Sequence, residues 1–250
     1  MSIFEAAMLF LAGVAAGTIN TVVGSGSLIT FPALLAFGYS PLTANMTNNV
    51  GVLPGAISGA YAYRSELKTQ WSHVRQLVSL SLAGGLGGAL LLLRLPAAAF
   101  DQIVPVLVLL AIILVILQPW LKKRAASREA RPRRNAILRD GGIFLTGVYG
   151  GYFGAAQGIL LMSILGAVID ESIQKLNSIK MMLGLSANTA AAVVFIFRGG
   201  INWPAAGVIA AGALIGGHLG ASIGRRLPER VYRAVIVIVG LIAFTKLVTS

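Results

Sequence analysis

Long apolar runs separated by short polar ones set the pattern of this chain. A helix needs about 20 apolar residues to cross the hydrocarbon core of a bilayer. Eight stretches approach that length: 3–22, 44–63, 74–93, 101–120, 141–169, 173–197, 203–224 and 229–248. Two are irregular. The first is followed, after Gly24-Ser25-Gly26-Ser27, by an apolar stretch at 28–38 that is too short to span alone. The fifth is too long for one span and is interrupted at Gly154-Ala155-Ala156-Gln157-Gly158. The one clearly water-soluble region is 121–140, where eight Lys and Arg residues are opposed only by Glu129 and Asp140. The pattern predicts an all-α integral membrane protein: a membrane unit over 1–120, a basic cytoplasmic loop over 121–140 and a second membrane unit over 141–250. Residues 1–25 lack a basic leading region and a convincing cleavage site, so the start reads as a span and not a removable signal.

The two units resemble each other. A shift of 132 residues pairs Asn45 with Asn177, Trp71 with Trp203, Gly84-Gly85 with Gly216-Gly217, and Arg94-Leu95-Pro96 with Arg226-Leu227-Pro228. Shared greasiness does not explain identities in Trp, Pro, Asn and Arg. An internal duplication does, and such repeats are typical of secondary transporters.

Composition removes the soluble alternatives. Hydrophobic residues make up 56% of the 250, charged residues only 11%, and mean hydropathy is +0.82. A soluble domain carries about 25% charged residues. With no cysteine and two histidines, thiolate chemistry is excluded, and His73 and His218 cannot form a multi-histidine metal site alone. A membrane enzyme would need clusters of nucleophile, base or metal ligands that are not evident. No cofactor is expected.

The net charge of +12 changes meaning once it is mapped. Basic loops are retained in the cytoplasm. If all eight segments cross once, the 20 basic residues divide 13 to 7. If 3–38 and 141–169 are instead hairpins that enter and leave on one face, the split becomes 17 to 3, with only Arg94, Arg198 and Lys246 outside. The stronger bias predicts two inverted repeats with two re-entrant hairpins and both termini periplasmic. Charge spread over one face with few interleaved aromatics argues against nucleic acid.

Paired breaks at membrane depth point to a binding site, because unwound backbone is tolerated there only against protein or a watery cavity. The half-helices that follow present N–H groups and a positive dipole end to an anion. Candidate contacts are Asn20, Gly24, Ser25, Gly26 and Ser27 in the first half, with Gly154, Gln157 and Gly158 in the second. Asn45, Thr47 and Asn48 open the second span; Asn177, Lys180 and Asn188 form the matching stripe. The competing reading is interhelical glue and close packing by small residues. Lys180 is the one basic residue in a membrane-like setting, which makes it a functional candidate by default; snorkelling to the interface is its alternative. His218 reads as a packed or interfacial residue. All eight acids fall at segment ends or in loops, so a buried carboxylate relay for protons or Na⁺ is not expected.

Asn20-Thr21-Val22-Val23-Gly24-Ser25-Gly26-Ser27, Phe31-Pro32-Ala33, Ala44-Asn45-Met46-Thr47-Asn48, Leu53-Pro54-Gly55, Lys175-Leu176-Asn177, Asn202-Trp203-Pro204 and Arg226-Leu227-Pro228-Glu229-Arg230 resemble the TauE/SafE family of sulfite and organosulfonate exporters. The resemblance covers essentially the whole chain. It implies a multi-pass transporter of the bacterial inner membrane for small sulfur-containing anions. The second break, Ala155-Ala156-Gln157, is less glycine-rich than the family pattern. An importer or channel for a small carboxylate or other anion remains the alternative. Expected partners are the small anion and the lipid bilayer, with a homodimer as a further candidate.

Overall fold

The computed structural model describes the chain apart from residues 69–70, 127–131, 170, 223–228 and 250. Among the described residues the regular structure is entirely helical. The first half contains α1 (Ile3–Val22), α2 (Ser27–Ala36), α3 (Pro41–Ala62), the short α4 (Arg64–Lys68), α5 (Trp71–Arg94) and α6 (Ala97–Ala126). The second contains α7 (Pro132–Tyr152), α8 (Gln157–Val168), α9 (Ile173–Arg198), α10 (Trp203–Ser222) and α11 (Glu229–Thr249). Six of these, α1, α5, α6, α9, α10 and α11, contain stretches long and apolar enough to cross a membrane. The other two long helices, α3 and α7, are diluted by Asn45, Asn48 and Asn49, and by Arg133, Arg134, Arg139 and Asp140.

Local sequence sets the helix starts. Ser2 and Glu5 form a reciprocal capping box on α1, so two otherwise orphaned N–H groups find acceptors. Ser40 caps α3 ahead of Pro41, and Ser172 caps α9. The basic stretch 121–140 is more helical than its charge suggests. α6 continues to Ala126 and α7 begins at Pro132, because Ala, Lys and Arg are good helix formers and proline suits the first helical position.

Glycine governs how the helices meet. Gly13 lies against Ile209, and Gly17 against Ala213 and Gly217, so α1 and α10 ascend together. Gly51 and Gly55 place α3 beside Ile209 and Ala213 in the same direction. Gly84 meets Phe144 and Val148, and Gly88 meets Val148 and Tyr152, so α5 and α7 also run parallel. A methyl at Gly88 would lie 2.0 Å from the Val148 carbonyl oxygen. In lipid, apolar surface gives helices no reason to associate, and close backbone approach supplies the packing instead. The outside is correspondingly greasy, with Leu145, Phe197 and Ile242 exposed.

Both broken segments fold back on themselves. Gly26 packs against the backbone of Ala16. The ends of the α1–α2 hairpin meet through Phe4 and Phe37, whose rings are 6.4 Å apart, and Tyr39 donates to Glu5 Oε1 at 2.7 Å. Loss of hydration, then the bond to Glu5 and its negative charge, raise the Tyr39 pKa to about 12. In the second hairpin Ile164 of α8 returns beside Gly142 of α7, and Gln157 lies beside Gly150.

Candidate functional site where the two breaks meet

The two breaks are built alike. At the end of α1, Val23 and Gly24 both donate to the Ile19 carbonyl, at 2.7 and 3.1 Å, and Gly24 adopts φ +87°. At the end of α7, Phe153 and Gly154 both donate to the Tyr149 carbonyl, at 2.9 and 3.0 Å, and Gly154 adopts φ +78°. Glycine reaches this left-handed region without the Cβ penalty. The structural equivalence is Gly24 with Gly154 and Ser27 with Gln157, a shift of 130. The gapless shift of 132 that relates the later helices therefore misaligns the hairpins, and a two-residue difference before α3 and α9 restores the register.

The tips touch. The Gly158 N–H donates to the Gly24 carbonyl at 3.1 Å. A Cβ on Gly24 would fall 2.6 Å from the Gly158 Cα, and one on Gly158 would fall 2.5 Å from the Gly24 Cα. Only glycine permits this approach. One amide at the start of α8 is thus spent on the other hairpin.

Beside the contact is a cavity of about 30 Å³. A single water needs roughly 10–15 Å³ on the same measure, so the space suits a few waters or one compact ion. Nine of the fourteen sequence candidates line it: Asn20, Gly24, Gly26, Ser27, Gly154, Gln157, Gly158, Lys180 and Asn188. Lys180 is only 2% exposed, so its side chain does not snorkel to the surface. Among the described residues, no carboxylate lines the cavity. Ala56, Leu161, Met181, Gly184 and Leu185 complete the wall. Nothing in their greasy sequence context distinguishes them from ordinary core residues.

The other five candidates stand back from the cavity. Asn45 Nδ2 donates to the Tyr152 carbonyl at 2.9 Å, and Asn177 Nδ2 donates to the Thr21 carbonyl at 3.3 Å. Each repeat asparagine therefore caps the broken helix of the other half, satisfying a carbonyl that the break leaves without an intrahelical donor. Thr47 Oγ1 accepts from the Asn202 N–H at 3.0 Å, and the Thr30 hydroxyl donates to Asn48 Oδ1. Ser25 is buried at the tip with its hydroxyl unpartnered. Two cavity residues are also tied into the scaffold. Gln157 Nε2 donates to the Thr146 carbonyl at 3.3 Å, and Asn188 Oδ1 accepts from Asn49 Nδ2 at 3.2 Å. His218 is exposed on α10.

The family model described as "Sulfite exporter TauE/SafE" matches residues 9–247. The chain belongs to this family. Among its relatives, the chain is 27% identical over 240 residues to the "Probable membrane transporter protein YfcA" of Escherichia coli K12, covering 96% of this chain and 88% of that one. A "Probable membrane transporter protein" of Haemophilus influenzae is 26% identical, with 97% and 94% covered. The "Probable membrane transporter protein ORF9" of a Sinorhizobium species is 26% identical, with 94% and 89% covered. No solved structure matches the chain. The family match and the apolar helices make this a multi-pass TauE/SafE membrane transporter.

Proposed function

We propose that this transporter moves a small sulfur-containing oxyanion, sulfite or an organosulfonate, across the bacterial inner membrane by alternating access. The carrying observation is the meeting of two helix breaks at Gly24 and Gly158 beside a compact cavity lined by buried Lys180, with no carboxylate among its described lining residues. Gly26 and Ser27 open α2 there, and Gln157 and Gly158 open α8. Two half-helix N-termini and one ammonium group suit a negative ligand. The Asn20, Ser27 and Asn188 side chains supply further polar contacts. Ser25, Asn45, Thr47, Asn48 and Asn177 support the hairpins from behind.

The halves are read as inverted repeats. Helix directions support this: α1, α3 and α10 run one way beside one another, while α5 and α7 form a parallel pair and α5 runs with α9. The hairpin ends joined by Phe4–Phe37 and Tyr39–Glu5 support re-entry. The packing is reciprocal: α1 lies on α10 as its counterpart α7 lies on α5, and α2 lies on α11 as α8 lies on α6. Transport would rock one set of elements against the other around the joined tips.

Counterflow in proteoliposomes tests the reading. Internal sulfite or sulfonate should accelerate saturable uptake of labelled substrate. Flux that neither saturates nor responds to the trans side would mark a channel, and preference for small carboxylates would mark the wrong anion. A reporter fused after Ser250 should read as periplasmic; a cytoplasmic signal sinks the inverted topology.

A further inference from the structure

α5 and α9 lie side by side and run in the same direction. Ser81 Oγ donates to the Leu183 carbonyl at 2.8 Å, and Gly85 packs on the backbone of Ala187. This parallel run brings the C-terminal ends of the two helices together. There the helices part around a groove of about 420 Å³, within the roughly 300–1,000 Å³ of small-molecule sites. Leu90 and Leu93 form one wall, Val193 and Phe197 the other, and Arg94 and Arg198 line the end of the groove. Phe197 is 88% exposed. Both arginines are exposed, and neither is paired with an acid among the described salt bridges.

Helix C-termini favour a cation, which accounts for one arginine per helix but not for two converging on an apolar cleft. On the inverted-repeat reading proposed above, these two are also exceptions to the charge distribution, since only Arg94, Arg198 and Lys246 depart from the face that gathers 17 basic residues. Lys246 has a structural partner: its Nζ donates to the Leu35 carbonyl at 2.7 Å. The arginines need another explanation.

We propose that this groove binds one anionic phospholipid. The phosphodiester sits between Arg94 and Arg198, whose planar guanidinium groups match phosphate oxygens in two-point contacts. An acyl chain runs along Leu90, Leu93, Val193 and Phe197, covering apolar surface next to the bilayer. Charge complementarity selects the headgroup, and the apolar walls select a lipid over a soluble anion. The repeat shift places Glu66 where Arg198 stands, so the pair of arginines is not repeated in the sequence of the other half and one lipid per chain is expected. The groove shares no lining residue with the cavity at the hairpin tips, so the lipid assignment does not depend on which anion is transported.

The test uses the full chain in detergent, with native mass spectrometry and thermal unfolding. Phosphatidylglycerol should bind one per chain and raise the unfolding temperature. Phosphatidylcholine with the same chains, inorganic phosphate and sulfite should not reproduce that shift. Arg94→Gln with Arg198→Gln should weaken phosphatidylglycerol binding about a hundredfold or more, the scale of two lost charged hydrogen bonds. Arg198→Glu, copying Glu66, should weaken it as far, while sulfite counterflow persists in both. An equal shift from phosphatidylcholine, phosphate or sulfite overturns the proposal. So does full phosphatidylglycerol binding by the double variant, or a dimer that separates in that variant and so identifies the groove as a contact between copies.

Discussion

The two hairpin tips share a backbone shape but use different chemistry. The first, Gly24-Ser25-Gly26-Ser27, is built from small residues and keeps a buried, unpartnered hydroxyl at Ser25. The second spends its polar groups on structure: the Gly158 N–H on Gly24, the Gln157 amide on Thr146, and the Ala155 carbonyl on the Tyr149 hydroxyl at 2.6 Å. It even places a non-glycine residue, Ala156, at φ +62°. The stripe behind the tips is uneven as well. Where α3 offers Asn48, bonded to Thr30, α9 offers Lys180 at the cavity. A duplicated frame has thus been specialised, with the charge carried by one half and the plainer tip by the other.

Replacing the glycine that joins the tips should break this arrangement most severely. Gly158→Val puts a branched side chain where even a Cβ meets the Gly24 backbone at 2.5 Å. Relief requires the hairpins to separate, at a cost of several kcal/mol. The expected result is loss of counterflow together with a lower yield of monodisperse protein. Normal activity would show that the tip contact is dispensable.

Lys180→Met tests the asymmetry of charge. It removes a buried cation while keeping an unbranched apolar stem, so the fold should persist. The apparent affinity for sulfite should fall by at least about tenfold, the order of one charged hydrogen bond. If affinity is unchanged and only unfolding temperature moves, Lys180 is structural.

The asparagine caps should behave as a matched pair. Asn45→Ala strands the Tyr152 carbonyl and Asn177→Ala strands the Thr21 carbonyl, each at roughly 1–3 kcal/mol. Denaturation in mild detergent should show similar losses for both. A large effect at one and none at the other would end the equivalence.

The smallest effect is expected at the second tip. Ala156→Gly relieves a left-handed alanine, worth about 1–2 kcal/mol, but gives up a buried methyl and adds freedom to the unfolded chain. Stability should stay within about 1 kcal/mol of the starting protein. Ala156→Val should be clearly worse, because a β-branched residue fits that conformation poorly.

The apolar runs made most of the helices legible, since their lengths reflect the bilayer and need no partner to interpret. Both breaks were legible because glycine-rich interruptions have few uses inside a membrane. The polar stripe was only half legible. Nine candidates line the cavity, yet Asn45 and Asn177 turn toward carbonyls of the opposite hairpin. An asparagine can satisfy a helix end or a ligand with the same atoms, and spacing does not say which lies within reach. The gapless shift of 132 also hid the hairpin register, because the two-residue difference lies in the half-helices, 10 residues in α2 and 12 in α8, whose apolar runs carry no mark of register.

The sequence by itself determined that this is a helical membrane protein with two interrupted segments, and with halves whose Asn, Trp, Gly and Arg-Leu-Pro positions match at a shift of 132. Those properties are sums over residues or local conformational preferences, and they survive any arrangement of the helices. Only the tertiary structure decided that Gly24 meets Gly158, that Lys180 is buried beside them, and that each asparagine caps the other half. These depend on distances between residues more than a hundred positions apart, set by glycine contacts along α1, α3, α5, α7 and α10. Close packing, not hydrophobicity, ranks one such arrangement above another in a solvent as apolar as the helices themselves.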